Sequence, residues 1–478
     1  MALAVFDVGK TNKKFAVFSE DLRPVASESV AIGERVVSGL LCDDVEAVER
    51  WVLSRLREGR ERYGVRAVAV TTFGATLALL DREGRLVMPV VSYNHEVGPE
   101  VRRGFYEEFG SPEGLYARTG TPPLGQLLNA GLQLYWLSRE YPERYSRAEL
   151  ILFLPQLLSY RLSRGLATEI TSVGCHTYLY DLTRSDWSDV AVGLGVPERA
   201  PGFMDAWGRL GCCDGVAVAV GIHDSNASLL PYLVAERGDF VLASTGTWCV
   251  FMWPGGAFSP SADDVYKDVL YYIDAFGRPV RASRFKCGFE FDHYVRLIRE
   301  RFGTDPLAVE FDERVAVELL RGRGAFVVPT LAPGTGQFPR SKGRVVDRGF
   351  FRRGVREAYH ALNLSIAVQT YYALKALTGG VSGLRLVVQG GFAKNDVYLR
   401  LLATIAPGLE VLRSKYPEAT SLGAAMLAKC ALEGCRPEDL RDCVAPLLGV
   451  ERVRGVPVDD AYVSEYLREF EELCSEGV

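Results

Sequence analysis

Leu3 to Phe18 reads LAVFDVGKTNKKFAVF: an apolar run closed by Asp7, a short polar turn, then a second apolar run. Flanks rich in Val and Phe around a turn holding Gly9 and Asn12 predict two strands with a tight connection. Such a turn gathers backbone N–H groups, the Thr11 hydroxyl and a nearby lysine cation around one small volume, a concavity that suits a phosphate. Asp7, at its strand end, is placed to hold a hard cation such as magnesium through water, because such ions take oxygen ligands. The stretch is not a P-loop. That motif needs a glycine where this chain has Ala4 and a following helix where Lys13 to Phe18 alternates like a strand. On this stretch alone an ordinary hairpin turn, with Asp7 satisfied by local N–H groups, stays open beside the phosphate reading.

At 478 residues the chain is too long for one core, so two or three domains are expected. A 48% hydrophobic, 24% charged composition with net charge −5 is that of a globular protein and gives no reason to expect nucleic acid or an acidic membrane as partner. The ten cysteines form no CxxC pair, which excludes the usual zinc frameworks and predicts free thiols in a reducing cytoplasm. Asp7 and Lys10 interrupt the first apolar run, so no secretory signal is expected. No stretch of about 20 apolar residues predicts a membrane span. The expectation is a cytoplasmic, multi-domain protein.

Further strands are predicted at Val25–Ile32 and Arg66–Thr71, with an amphipathic helix over Asp43–Tyr63 between them. The small, polar exit Thr72–Thr76 lies where α/β folds place ligands. Leu77–Leu80 and Leu86–Ser92, around Asp81-Arg82-Glu83-Gly84, predict a hairpin ending at Tyr93-Asn94-His95. Helical spacing runs on to about Ser163, with Leu150–Leu162 read as one helix. Tyr178–Trp187 and Gly202–Cys213 read as irregular connections. Val216–Val220 is a short strand delivering Gly221-Ile222-His223-Asp224 to a helix over Ser225–Leu233, with Ser225 or Asp224 near its N-cap. From about Arg237 the opening design repeats: the strand Phe240–Ala243, the turn Ser244-Thr245-Gly246-Thr247-Trp248, and the apolar run Cys249–Trp253. Strands are then expected at Gly324–Pro329 and Leu384–Val388. Helices are expected over Phe350–Leu377, Lys394–Ala406, Thr420–Leu432 and Ala461–Cys474.

Four glycine-bearing turns stand in order: DVGKTN, GIHDSNA, STGTW and QGGFAKN. With their strands and spacing they resemble the FGGY carbohydrate kinases, over roughly Leu3 to Ala428. TTFGATLALLDREGRLVMPVVSY, HDSNA and STGTW look most like the fuculokinase and rhamnulokinase branch. The resemblance implies an α/β fold of two ribonuclease-H-like domains of the actin-like ATPase type with a cleft between them, at 1–236 and 237–478. It implies ATP and Mg2+, with a small-molecule sugar as partner; homodimeric assembly is left open.

Carried over residue by residue, the resemblance places Asp7, Gly9, Lys10, Thr11, Asn12 and Lys13 in the first phosphate element. Ser244, Thr245, Gly246 and Thr247 fall in the second, and Gly390, Gly391 and Asn395 against adenosine. Asp224 becomes the general base and, with Asp7, a magnesium-facing carboxylate. Phe73, Gly74, Thr76, Tyr93, Asn94, His95 and His223 fall in the sugar site. Phosphoryl transfer asks for these types independently: aligned N–H groups and a cation for charge, a carboxylate for the hydroxyl proton, glycines for close approach to a flat base. Departures gather on the sugar side. The branch carries an acidic residue at Thr76, Asp at His95, Trp at Tyr93 and Lys at Gln133, and a different segment at Arg284–Tyr294. Each reading has a plain structural alternative: Asp224 as a helix cap, Tyr93 as a core aromatic, His95 and His176 as hydrogen-bonded structural residues. The implied activity is phosphorylation of a ketose or deoxyketose. Its rivals are a kinase for another polyol or sugar acid and a non-catalytic ATP- and sugar-binding regulator.

Overall fold

The computed structural model describes residues 1–236 and 238–476. The opening stretch forms the antiparallel pair Ala2–Val8 and Asn12–Ser19, with Asp7 opposite Lys14. This pair sits inside a seven-stranded sheet, ordered Arg209–Cys213, Val216–Ala219, Val65–Thr72, Ala2–Val8, Asn12–Ser19, Pro24–Ala31, with Ile222–His223 also on Val65–Thr72. Val65–Thr72 runs parallel to Ala2–Val8 because helix Val45–Tyr63 makes the crossover between them. Asp44 caps that helix and left-handed Gly64 ends it.

A second seven-stranded sheet is ordered Val269–Ile273, Pro279–Phe285, Cys249–Trp253, Val241–Thr245, Arg385–Gly390, Glu410–Ser414, Val450–Arg452. Its core repeats the first: an antiparallel hairpin whose leading strand is parallel to a neighbour reached through helix Val355–Thr378. The expected two α/β units are present. The two sheets share one buried cluster, in which Leu3, Val5, Ala67 and Ala217 of the first meet Leu242, Val387 and Leu412 of the second. Helices Asp224–Ala235 and Ala419–Glu433 fill the space between. They cross so closely that a Cβ on Gly423 would lie 1.9 Å from the Ala227 carbonyl oxygen.

Several local expectations are corrected. Leu150–Leu162 is not one helix: Leu150–Phe153 is a strand paired with Leu77–Leu80, and the helix Leu154–Ser163 starts with Pro155 in its first turn. An apolar run too short to show its period reads equally as either state. The partner of Leu77–Leu80 is therefore not Leu86–Ser92, which reaches it through a single bridge, Leu80 to Leu86. Arg209–Cys213, read as irregular, is an edge strand joined to Val216–Ala219 through Asp214 and Gly215, both at positive φ (47° and 82°). That is the signature of a tight hairpin turn. The thiols are not all free: Cys249 and Cys287 form a disulfide. Among the described residues no helix is long and apolar enough to cross a membrane.

Candidate active site

Three strand ends of the first sheet lie side by side, with Asp7 opposite Thr71 and His223 opposite Thr72. Asp224 follows as the first residue of helix Asp224–Ala235, with His223 as the N-cap. They open onto a cavity of about 300 Å³ whose walls come from both halves: Asp7, Phe73, Gly74, Tyr93, His223 and Asp224 from the first, and Ser244, Thr245 and Gly246 from the second.

Asp224 lies deep in the chain yet keeps 35% of its side-chain surface open, because it faces this cavity. Its Oδ1 accepts from the Ser225 N–H at 2.6 Å and lies 3.2 Å from His223 Nε2. Burial pushes the carboxyl up to about 6 and holds His223 down at about 3, so the imidazole is neutral at ordinary pH. With Asn226 Nδ2 donating to His223 Nδ1 at 3.2 Å, the ring proton sits on Nε2, whose hydrogen-bond partner is Cys175 Sγ at 3.2 Å. A further layer holds the histidine. Its N–H donates to Thr171 Oγ1 at 3.1 Å, and that hydroxyl donates to buried Glu169 at 2.7 Å.

Among the described residues the Asp7 side chain accepts no hydrogen bond. Burial first, then the nearby Asp224 charge, pushes its carboxyl up to about 7, with Lys14 opposing. Two carboxylates facing one cavity without enough positive charge form a hard-oxygen pair that fits a divalent cation.

The Ser244–Thr247 turn follows from strand Val241–Thr245. The Thr245 hydroxyl donates to the Gln389 carbonyl and accepts from the Phe392 N–H, tying this turn to the QGGF turn. Gly390 has φ +84°, and a Cβ there would lie 2.1 Å from the Thr245 carbonyl oxygen. Beyond Gly246 a second cavity, of about 410 Å³, is lined by Thr247, Gly391, Lys394 and Asn395 and walled by Phe291, Tyr359 and Phe392. Gly246 borders both cavities. Asn395 Oδ1 caps helix Asp396–Ile405, and its Nδ2 donates to Asn363 at 2.7 Å.

Other expected site residues lie elsewhere. Gly9, Thr11 and Asn12 form the open turn of the first hairpin and line neither cavity. Lys10 Nζ is held by Asp43 at 2.7 Å, Ser92 at 2.8 Å and Glu34 at 3.0 Å, against the Tyr93 and Phe73 rings. Lys13 Nζ donates to the carbonyls of Lys10 and Ile32. Asn94 bonds Glu34, His95 accepts from the Leu41 N–H and packs on Trp136, and Thr76 is buried behind the cavity wall. Gln133 donates to the Val91 carbonyl.

Leu128 and Tyr272, not singled out from the sequence, complete the wall together with Trp248 of the STGTW turn, Arg284 at the head of the Arg284–Tyr294 segment, and His176. Tyr272 and Arg284 belong to the antiparallel strands Val269–Ile273 and Pro279–Phe285, joined by the turn Ala275-Phe276-Gly277. The alternating runs VLYYI and PVRASRF around DAFGR were the signal available for that hairpin.

Residues 2–204 match the FGGY family of carbohydrate kinases, N-terminal domain, and residues 237–437 match Carbohydrate kinase FGGY, C-terminal domain. L-fuculokinase of Escherichia coli (strain K12) is 31% identical over 201 residues, 39% of this chain and 41% of that one. Rhamnulokinase of Yersinia pestis (strain Pestoides F) is 27% identical over 222 residues, 45% of each. The chain thus spans less than half the length of these two curated relatives. The crystal structure of a carbohydrate kinase from Novosphingobium aromaticivorans superposes on 100% of this chain and 99% of its own, with TM-score 0.82 and 26% identity. Matched through both halves, with the paired sheets and the cavity between them, the chain belongs to the FGGY family of carbohydrate kinases.

Proposed function

We propose that this protein transfers the γ-phosphoryl group of ATP to a hydroxyl of a small sugar, a ketose or deoxyketose, in the cytoplasm. The observation that carries the reading is Asp224: a carboxylate at a helix start, raised to about 6, open to a cavity that both halves line. Unit 1–236 supplies Asp224, Asp7 and most of the sugar side, and unit 237–478 supplies the nucleotide side and the remaining wall. Adenine suits the aromatic-walled cavity of Phe291, Tyr359 and Phe392, the triphosphate crosses Gly246, and the sugar lies against Tyr93, Phe73 and His223. Asp224 accepts the proton of the sugar hydroxyl as its oxygen forms the new bond to the γ-phosphorus. The bond to the β–γ bridging oxygen breaks, and ADP leaves with that electron pair. His223, held by Asn226 and Thr171, sets its neutral ring beside the carboxylate and bounds the path of the hydroxyl. Asp7 and Asp224 would hold a divalent cation, which supplies neutralisation of phosphate charge when bound.

The test is sugar-dependent ADP release, measured in a coupled assay over pentuloses, deoxyhexuloses, polyols and aldonates. Asp224→Asn is expected to lower kcat by roughly 10²–10⁴-fold with the ATP KM nearly unchanged. Near-full activity in that variant would sink the assignment. Sugar and ATP binding without turnover in the native protein would identify a regulator instead.

A further inference from the structure

Arg284 closes the sugar side of the first cavity from the second sheet. It pairs laterally with Val250, which pairs with Ser244, so its row runs on into the second phosphate turn. The side chain is only 8% exposed. Its Nε donates to Asp268 Oδ1 at 3.2 Å, and the other Asp268 oxygen accepts the Gly336 N–H at 2.7 Å. The guanidinium lies on the Trp248 ring, 4.6 Å from its centroid. Among the described residues neither Nη group donates to any protein atom, although both belong to a side chain that borders the cavity. A guanidinium stays charged and has no lone pair, so this wall can bind only an acceptor. Leaving those N–H groups without a partner in a closed complex is costly.

The cavity therefore has two poles. Asp224 takes a hydroxyl proton, while the Arg284 fork offers only donors and is met most fully by an oxygen that has no proton to place. Building on the kinase reading, we propose that Arg284 is the specificity-determining residue of the acceptor site. It receives an sp² oxygen, carbonyl or carboxylate, of an open-chain sugar. An alditol hydroxyl can accept from the fork too, but it brings a proton that needs an acceptor of its own, which a carbonyl or carboxylate oxygen does not. His176, which donates through Nδ1 to the Leu128 carbonyl at 2.7 Å, presents the bare Nε2 to the same cavity for a sugar hydroxyl.

The test is calorimetric binding to the full chain, independent of turnover. The ligands are pentuloses, 6-deoxyhexuloses and aldonates, each beside the alditol of the same chain and configuration. The keto or carboxylate member is expected to bind at least about tenfold more tightly than its alditol. Arg284→Lys, which keeps the charge but loses the fork, should erase that preference and leave ATP affinity unchanged. So should Arg284→Gln combined with Asp268→Asn, which removes the buried pair together. Preference for the ketoses or for the aldonates identifies the source of the oxygen. Alditols binding equally well, no member of the panel binding, or variants that weaken ATP rather than sugar would each overturn the proposal. Arg284-dependent binding without acceptor-dependent ADP release would leave it standing and overturn the kinase reading.

Discussion

Asp7 and Asp224 press two like charges into one cavity, and the cost of doing so depends on pH. The Asp7 carboxyl rises from 3.8 to about 7, so between those values the folded chain holds a proton that the unfolded chain releases. Stability tied to this group is therefore full below about pH 4 and is lost as pH rises toward 7. Asp7→Asn removes the penalty. In melts without divalent cation, its advantage over the native protein should be near zero at pH 4 and grow to no more than about 2 kcal/mol above pH 7, because cavity water screens the charge. Equal melting temperatures across that range would exclude the buried-charge account. At this scale the sequence was informative where a residue type is demanded by chemistry at a turn: Asp7, Asp224 and Ser244–Gly246 all meet one cavity. It was uninformative where position depends on pairing. Arg284 reaches the first cavity only because Pro279–Phe285 pairs beyond Cys249–Trp253, and Lys10 is drawn off by Glu34 and Asp43, which arrive from a separate two-stranded hairpin.

The hairpin Val241–Thr245 and Cys249–Trp253 is bound twice to its surroundings. The Thr245 hydroxyl ties it to the QGGF turn, and the Cys249–Cys287 disulfide ties it to helix Cys287–Phe302. Next to that bridge, a Cβ on Gly288 would fall 2.2 Å from the Gly246 carbonyl oxygen, so helix and Ser244–Thr247 turn touch backbone to backbone. The disulfide spans 38 residues, and closing a loop of that size restricts the unfolded chain by about 4 kcal/mol in the chain-entropy picture. Cys249→Ser is expected to lose stability of that order, read as a lower denaturant midpoint, and to raise the ATP KM more than the sugar KM. An unchanged midpoint would show that the bridge does not support this turn. Long periodic helices such as Val355–Thr378 were legible from spacing, whereas Leu150–Phe153 was not, because four apolar residues carry no period and its strand partner lies about seventy positions earlier.

Both halves fold around the same sheet order, and the contact between them is made by helix packing. Helix Ala419–Glu433, late in the chain, lies over strands Ala2–Val8, Val65–Thr72 and Val216–Ala219 of the first sheet. Gly423 sets the crossing distance to helix Asp224–Ala235, because any side chain there meets the Ala227 carbonyl. Gly423→Val should destabilise the whole chain by roughly 2–4 kcal/mol and lower kcat, since Asp224 heads the displaced helix. A variant with native melting and native kcat would show that the crossing has slack. The repeated sheet order was foreshadowed by the echo of the opening hairpin at Ser244–Thr247, but nothing in sequence spacing announces that a late helix covers an early sheet.

That late helix bears on how the chain can be divided. Cutting after residue 236 leaves the first sheet with every strand of its own, yet strips the cover from Leu3, Val5, Ala67, Ala69, Ala217 and Ala219. Such a fragment would present a broad oily face and gather into aggregates. A fragment supplemented with a peptide carrying Ala419–Glu433 would be the smallest piece able to stay dispersed. The boundary seen along the sequence is therefore not a line along which the folded protein separates.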